Sequence, residues 1–224
     1  MKLDALMELA GSLGDVLPLE ILSESDRVEL VSHMGVRRFH QDEVVYHQGD
    51  PAAHVFVVYS GVVKVLVLDE NGREVLLSLL GRGEFFGELA LFEDLPRESG
   101  VVAVVPTTVL QIDRDGCLRV LARNPRARDY MFKRLASTIH VLSDKLQGMV
   151  FLDVPSRLAK YLLELKATGS DLPITQDDLA AAVGSTRFTV NKLLADFQRR
   201  GLIKVDRRRV EIIDEAQLLG EIRP

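Results

Sequence analysis

Through residues 1–36 apolar side chains recur at three- and four-residue intervals, as in "LPLEILSESDRVELVSHM", and this spacing predicts helix. From Val36 to about Gln111 the rhythm shortens to alternating or continuous apolar runs such as "EVVYHQ", "HVFVVYSG", "VVKVLVLDE", "EVLLSLLG" and "VVAVVPTTVLQID". Turn residues in "QGDP", "YSG", "ENG" and "GRGEFFG" separate them, and "DENGRE" is a strong hairpin signal. Seven or eight strands without intervening helices predict a small β-barrel or jelly roll.

Helical spacing returns after Asn124, a capping residue, and Pro125, which suits a first helical position. Phe132, Ile139 and Leu146 lie seven apart, and Leu135, Leu142 and Met149 repeat at the same interval, offset by three. Lys133, Arg134, Asp144 and Lys145 flank this seam. A helix packed on its own domain would also be amphipathic. The narrow, strictly repeated a/d seam favours a parallel two-stranded coiled coil and hence a homodimer.

"ITQDDLAAAVGSTRFTVNKLLADFQRRGLIKV" reads as two helices about a tight turn at Gly184, with Thr175 and Asp178 close to a capping box. Leu179 and Val183 face inward on the first helix, and Val190, Leu193, Leu194 and Phe197 on the second. That leaves Thr186 as the lead-in and Arg187, Phe188, Asn191 and Lys192 on the outer side. Arginine pairs bidentately with guanine, asparagine with adenine, and phenylalanine touches a thymine methyl, so this face suits the major groove of double-stranded DNA. A helical hairpin with no DNA role also fits the spacing. "GLIKVDRRRVEIID" predicts a two-stranded wing with Arg207, Arg208 and Arg209 at or near its tip.

Charge sharpens this picture. The net charge is −5, yet residues 1–150 hold 16 basic against 22 acidic side chains, whereas residues 151–224 hold 12 against 11. Between Ser185 and Arg209 there are eight basic residues and two acidic ones, a local field that a phosphate backbone would feel. With Cys117 as its single cysteine, the chain can form no internal disulfide and no four-cysteine cluster. His40, His47 and His54 fall in strand territory without a shared face, so no metal site is expected. The acidic start lacks a signal-peptide pattern, and no apolar run approaches the roughly 18 residues of a membrane span, so a cytoplasmic location is expected. No nucleophile motif or P-loop appears, and an enzyme is not expected.

The order helix, Gly-punctuated barrel, "FGELALFEDLPRES", long helix, "FLDVPSRLAKYLLEL" and "ITQDDLAAAVGSTRFTVNKLL" resembles the cyclic-AMP receptor protein/fumarate–nitrate regulator (Crp/Fnr) family of bacterial transcription factors, from about residue 15 to 215. Within it, "VGSTRFTVNKLLADF" is similar to the cyanobacterial global nitrogen regulators. The resemblance implies an α+β chain: a cyclic-nucleotide-binding-like β-barrel (jelly roll) over 1–123, a dimerisation helix over 124–150, and a winged helix-turn-helix over 151–224. It also implies RNA polymerase as a partner.

On the same resemblance, the phosphate cassette falls on Gly87, Glu88, Leu89, Arg97, Glu98 and Ser99. Glu88 matches the acid that takes the ribose hydroxyl and Arg97 the arginine that meets the cyclic phosphate. Glu98 stands where Ser or Thr is usual, and Leu142 and Ser143 stand where cyclic-AMP members carry Thr then Ser. An acid beside the phosphate position, a lost adenine partner, and an Arg97 that Glu88 or Glu98 can neutralise together lead to an expectation of a regulator active without cyclic AMP. The alternatives are an ordinary cyclic-AMP-responsive regulator and a cyclic-nucleotide-binding module that docks a protein. Arg187 matches a base-reading arginine, Lys192 replaces a second one, and Phe188 stands where a glutamate is widespread. The 2-oxoglutarate of the nitrogen regulators is not implied, because their cassette lacks the acid present as Glu88.

Overall fold

A computed structural model describes residues 21–92, 95–167, 174–206 and 209–223. The chain divides into two compact units, Met1–Val67 with Ser78–Thr138 and Leu68–Leu77 with Ile139–Pro224. Of the predicted N-terminal helical region, the part before residue 21 lies outside the described residues; the rest contains α1 (Glu24–Ser32), capped by the Ser23 hydroxyl.

Eight strands follow: β1 (Met34–Phe39), β2 (Val44–Tyr46), β3 (His54–Ser60), β4 (Val63–Leu68), β5 (Glu74–Leu80), β6 (Phe85–Phe86), β7 (Gly100–Ala103) and β8 (Thr107–Asp113). They form two open four-stranded sheets, ordered β1-β8-β3-β6 and β2-β7-β4-β5, which is the jelly-roll form of the expected barrel. The β4–β5 hairpin turns at "DENGRE", where the Asp69 carboxylate accepts from the Asn71 and Arg73 backbone N–H groups at 2.9 and 2.8 Å.

The continuous apolar run of β3 has a simple cause. Phe56 and Val58 enter a core with Phe39, Tyr46, Val63, Phe86, Val101 and Val109, while Val55 and Val57 enter another. Alternation puts successive side chains on opposite faces, so a strand dry on both faces reads as unbroken hydrophobicity. The second core is closed by α1, by α2 (Arg114–Arg123) and by the start of α3 (Pro125–Phe151), through Leu30, Val120, Leu121, Ala127 and Met131. Cys117 lines an apolar cavity there with Leu30, Phe85, Ile112 and Met131, and burial pushes its thiol up to about 12.

Polar contacts pin α1 to α2. The Asp113 carboxylate caps α2 by accepting from the Gly116 N–H at 2.7 Å, and its other oxygen lies 2.5 Å from His33 Nδ1. Arg119 donates to His33 Nε2 at 2.6 Å and to Glu29 at 3.0 Å, so His33 carries its proton on Nδ1 and gives it to Asp113.

In the second unit, α3 continues to Phe151, followed by α4 (Val154–Ala167), α5 (Gln176–Val183), α6 (Arg187–Arg199), β9 (Ile203–Asp206), β10 (Arg209–Ile212) and α7 (Glu215–Leu219). Leu158, Leu162, Leu179, Val183, Val190, Leu194, Phe197, Leu202 and Leu218 are buried. Lys145 on α3 donates to the Leu76 carbonyl of the β4–β5 hairpin, and burial lowers its ammonium to about 8. Among the described residues no helix is long and apolar enough to cross a membrane, and no group of three His, Cys, Asp or Glu could hold a metal ion.

Burial alone would raise the Asp113 carboxyl, but the Gly116 N–H and His33 outweigh it and hold it below the usual aspartate range. A depressed carboxyl stabilises the fold above its unfolded pKa of about 3.9, and that stabilisation is lost as pH falls through the lower folded value. Asp113→Asn keeps an amide oxygen to cap α2 but removes the charge. In urea titrations below pH 5, wild type is expected to lose more stability with acid than this variant does.

Candidate functional site

Two groups of side chains stand out, one in each unit. In the first unit Gly87 carries φ +74, and a Cβ there would lie 2.6 Å from Arg97 Nη1, so only glycine allows both the left-handed turn and the close approach. The turn starts a short 3-10 helix (Glu88–Leu91). Arg97 is 7% exposed, with its backbone tied to the preceding turn by Arg97 N–H to Asp50 carbonyl and Gly49 N–H to Arg97 carbonyl, both 2.8 Å.

The Arg97 guanidinium donates from Nη1 to the Gly87 carbonyl at 3.0 Å and from Nη2 to the His54 carbonyl at 2.5 Å. It lies over the Tyr46 ring at 4.3 Å and near Phe56 at 5.6 Å, on an aromatic cluster in which Phe56 and Phe86 stack at 5.1 Å. Burial lowers its basicity, while Tyr46, Asp50 and Glu88 pull the other way. Burial likewise pushes the Tyr46 phenol up to about 12, although the Ser99 side chain hydrogen-bonds to it.

The expected neutralisation of Arg97 by a neighbouring acid is corrected here. Among the described residues no carboxylate lies within 4.0 Å of the guanidinium, and Glu98 is exposed. Glu88 is half-buried, and burial pushes its carboxyl up against the weaker pull of its own N–H, Arg134 and Arg97. Backbone carbonyls and aromatic faces hold the charge instead, and Arg97 Nε is enclosed without a hydrogen-bond partner among the described residues. Leu89 is exposed at the rim of this loop. Leu142 and Ser143 stand exposed on α3, in the second unit.

Along α3, Phe132, Ile139 and Leu146 are exposed at 61%, 63% and 63%. Leu135, by contrast, packs partly on the first unit's core, and Met149 reaches Gly184, its Cε 3.5 Å from where a Cβ would lie. The uncovered line therefore runs Phe132, Ala136, Ile139, Ser143, Leu146 and Val150, with Leu142 beside it. Spacings of four and three residues persist, but the second row of the seam shifts by one position from the expected Leu135 and Met149.

In the second unit, Thr175 and Asp178 form a complete capping box: the Asp178 N–H donates to Thr175 Oγ1 at 3.0 Å and the Thr175 N–H to Asp178 Oδ2 at 3.1 Å. Gly184, at φ +61, ends α5 in the left-handed region, and the Thr186 hydroxyl caps α6 by accepting from Thr189 N–H at 3.1 Å. Caps on both helices fix the start of α6. Phe188 is 80% exposed, and Arg187 and Lys192 are exposed beside it. Asn191 departs from its expected outward position: it is half-buried, and its Oδ1 is enclosed without a partner. Leu193 is also only half-buried.

Two further residues were missed by the sequence reading. Asp177 accepts from Arg187 Nη1 at 2.9 Å, and opposite charges ten positions apart were the available signal. Arg157 donates to the Val183 carbonyl at the end of α5 and to the Leu152 carbonyl after α3, both at 2.8 Å. Backbone acceptors leave no mark in a sequence. The wing is present as β9 and β10, paired antiparallel with Arg209 opposite Asp206; Arg207 and Arg208 lie outside the described residues.

Two family profiles match the chain: "Cyclic nucleotide-binding domain" over residues 36–124 and "Crp-like helix-turn-helix domain" over 156–220. A "CRP-like cAMP-activated global transcriptional regulator" of Mycobacterium tuberculosis is 31% identical over 230 residues, covering 99% of this chain and 100% of the relative. The "cAMP-activated global transcriptional regulator CRP" of Salmonella typhimurium is 31% identical over 182 residues, 77% of this chain and 87% of that one. Among solved structures, FixK2 of Bradyrhizobium japonicum is similar in fold, with TM-score 0.77 at 20% identity over 85% of this chain and 98% of that one. A CRP-family transcriptional regulator of Thermus thermophilus gives TM-score 0.69 at 28% identity over 83% and 96%.

The cradle predicts that Arg97→Lys destabilises the protein by about 1–3 kcal/mol, because a point charge cannot keep two carbonyl bonds and a planar stack together. Urea unfolding of the two proteins at neutral pH checks this.

Proposed function

Because the chain belongs to the Crp/Fnr family of transcriptional regulators, we propose that it acts as a homodimer on palindromic promoter DNA, in a DNA-competent form that does not need cyclic AMP. The start of α6 carries this reading. A capped helix-turn-helix presents Arg187, Phe188 and Lys192 to solvent within a basic stretch, and a major groove accepts such a helix start. In this reading Arg187 reads guanine and Phe188 a thymine methyl. Thr186 and Lys192 line the groove, Asn191 turns outward on contact, and Arg207, Arg208 and Arg209 grip phosphates. Residues 1–123 serve as the sensor, 124–150 as the dimerisation helix and 151–224 as the DNA-binding domain, with RNA polymerase as a further partner.

The exposed apolar line of α3 supports the homodimer. An apolar stripe repeating at four and three residues is stabilised by covering it, and a second copy supplies an identical stripe. Ligand independence is supported by two features. Arg97 is held in place by the protein's own carbonyls and rings, and Leu142 offers no hydrogen bond to a base.

One observation favours a second reading, in which an anionic effector binds. Arg97 is a buried cation with a free Nε and no carboxylate partner among the described residues, and Glu98 points to solvent. The Mycobacterium tuberculosis and Salmonella typhimurium relatives are named as cAMP-activated, and in this second reading the chain shares that property.

Selection from random-sequence DNA is expected to enrich a two-fold symmetric site; a module that only docks proteins would enrich none. Replacing Ile139 and Leu146 together by Asp is expected to give monomers in sedimentation and a large loss of operator affinity, whereas a dimeric double variant would overturn the seam. In calorimetry and operator titrations, cyclic AMP is expected to change DNA affinity less than about threefold, roughly 0.7 kcal/mol of coupling. Micromolar binding with tenfold tighter operator binding would establish the second reading instead.

A further inference from the structure

We propose that Asp177 is a specificity-determining residue that lowers affinity for DNA lacking the operator sequence by holding Arg187 when no guanine is in reach. The inference rests on the reading of Arg187 as a base contact. Its evidence is the arrangement of the two acids at the start of α5. Asp178 is buried and committed to the capping box with Thr175. Asp177 is left outside that box, and its side chain is 61% exposed and 2.9 Å from Arg187 Nη1. Arg187 sits at the first position of α6, immediately before the exposed Phe188, so its guanidinium is held back toward α5 at the place where that helix start meets solvent.

An exposed ion pair of this kind is weak, about 0–1 kcal/mol, so it can be exchanged. Guanine offers O6 and N7 to an arginine fork, and that bidentate contact competes well with one carboxylate oxygen. Random DNA offers Arg187 mainly phosphate. There Asp177 competes for the same guanidinium and also repels the phosphates, because any backbone that Arg187 reaches lies within a screening length of about 8 Å of the carboxylate. The acid therefore penalises non-specific binding more than operator binding. It makes the arginine a sequence reader at the expense of its use as a general phosphate anchor.

The test compares full-length protein on the selected operator and on random duplex across a range of salt concentrations. Asp177→Asn is expected to tighten random-DNA binding about fivefold, the size of one surface charge contact, and operator binding by less than about twofold. The salt slope on random DNA is expected to steepen by about 0.9, the increment for one phosphate. Asp177→Ser is expected to behave like Asp177→Asn, while Asp177→Glu keeps the wild-type ratio. In an Arg187→Ala background, Asp177→Asn is expected to leave the operator-to-random ratio unchanged. Equal tightening on both DNAs overturns the proposal, as does the same ratio change without Arg187, since either reduces Asp177 to a general surface charge. A wild-type protein that enriches no site defeats the DNA reading itself, a result separable from these.

Discussion

The first unit depends on a strand that is apolar on both faces. β3 directs Phe56 and Val58 to one side and Val55 and Val57 to the other, and each face needs cover. The second sheet covers one face. The other is covered by α1, α2 and the first turns of α3, which explains why a helix with an exposed apolar line begins inside a core. The cradle follows from the same constraint: His54 opens β3 and gives its carbonyl to Arg97, while Phe56, two residues on, supplies a ring beneath it. The hydrogen bonds of this buried cation thus come from the carbonyls of a strand start and a tight turn rather than from a carboxylate.

The second unit is organised by satisfied helix ends. The Thr175–Asp178 box opens α5, Gly184 closes it, and Thr186 opens α6. Arg157 then puts its charge on the Val183 carbonyl, where the partial negative charge of a helix end welcomes a cation, and bonds the Leu152 carbonyl with the same fork. Farther along, the Ser156 hydroxyl accepts from the Arg223 N–H at 3.1 Å and donates to the Glu221 carbonyl at 2.9 Å, tying the tail to α4. With termini and connections fixed in this way, the exposed residues at the start of α6 sit on a rigid support.

Much of this was legible in the sequence, because the signals were local. Thr175 and Asp178, Asn124 and Pro125, "DENGRE" and Gly184 each specify a turn or cap within a few residues, and the structure has them there. The jelly roll was legible from the spacing of strands and turns, though the order of strands in the sheets was not. What failed to show were choices made by distant partners. Acids that can neutralise Arg97 are visible in a sequence, whereas its hydrogen-bond partners, the carbonyls of residues 10 and 43 positions away, are not. Leu135 and Met149 fit the heptad as well as any residue. Which flank of a helix packs on its own unit is decided by the neighbours it meets. Asn191 follows the helical period outward, yet its amide oxygen is enclosed by neighbours that the period does not describe.

The apolar cavity around Cys117 gives the protein a built-in clock. With the thiol pushed up to about 12 by burial, far less thiolate is present at neutral pH than for a free cysteine. Alkylating reagents therefore meet a reactive sulfur almost solely when the core between the sheet and α2 opens. As the chain has no other cysteine, the rate of that single modification follows the open population of the first unit's core whenever reclosing outpaces alkylation, without any label being introduced.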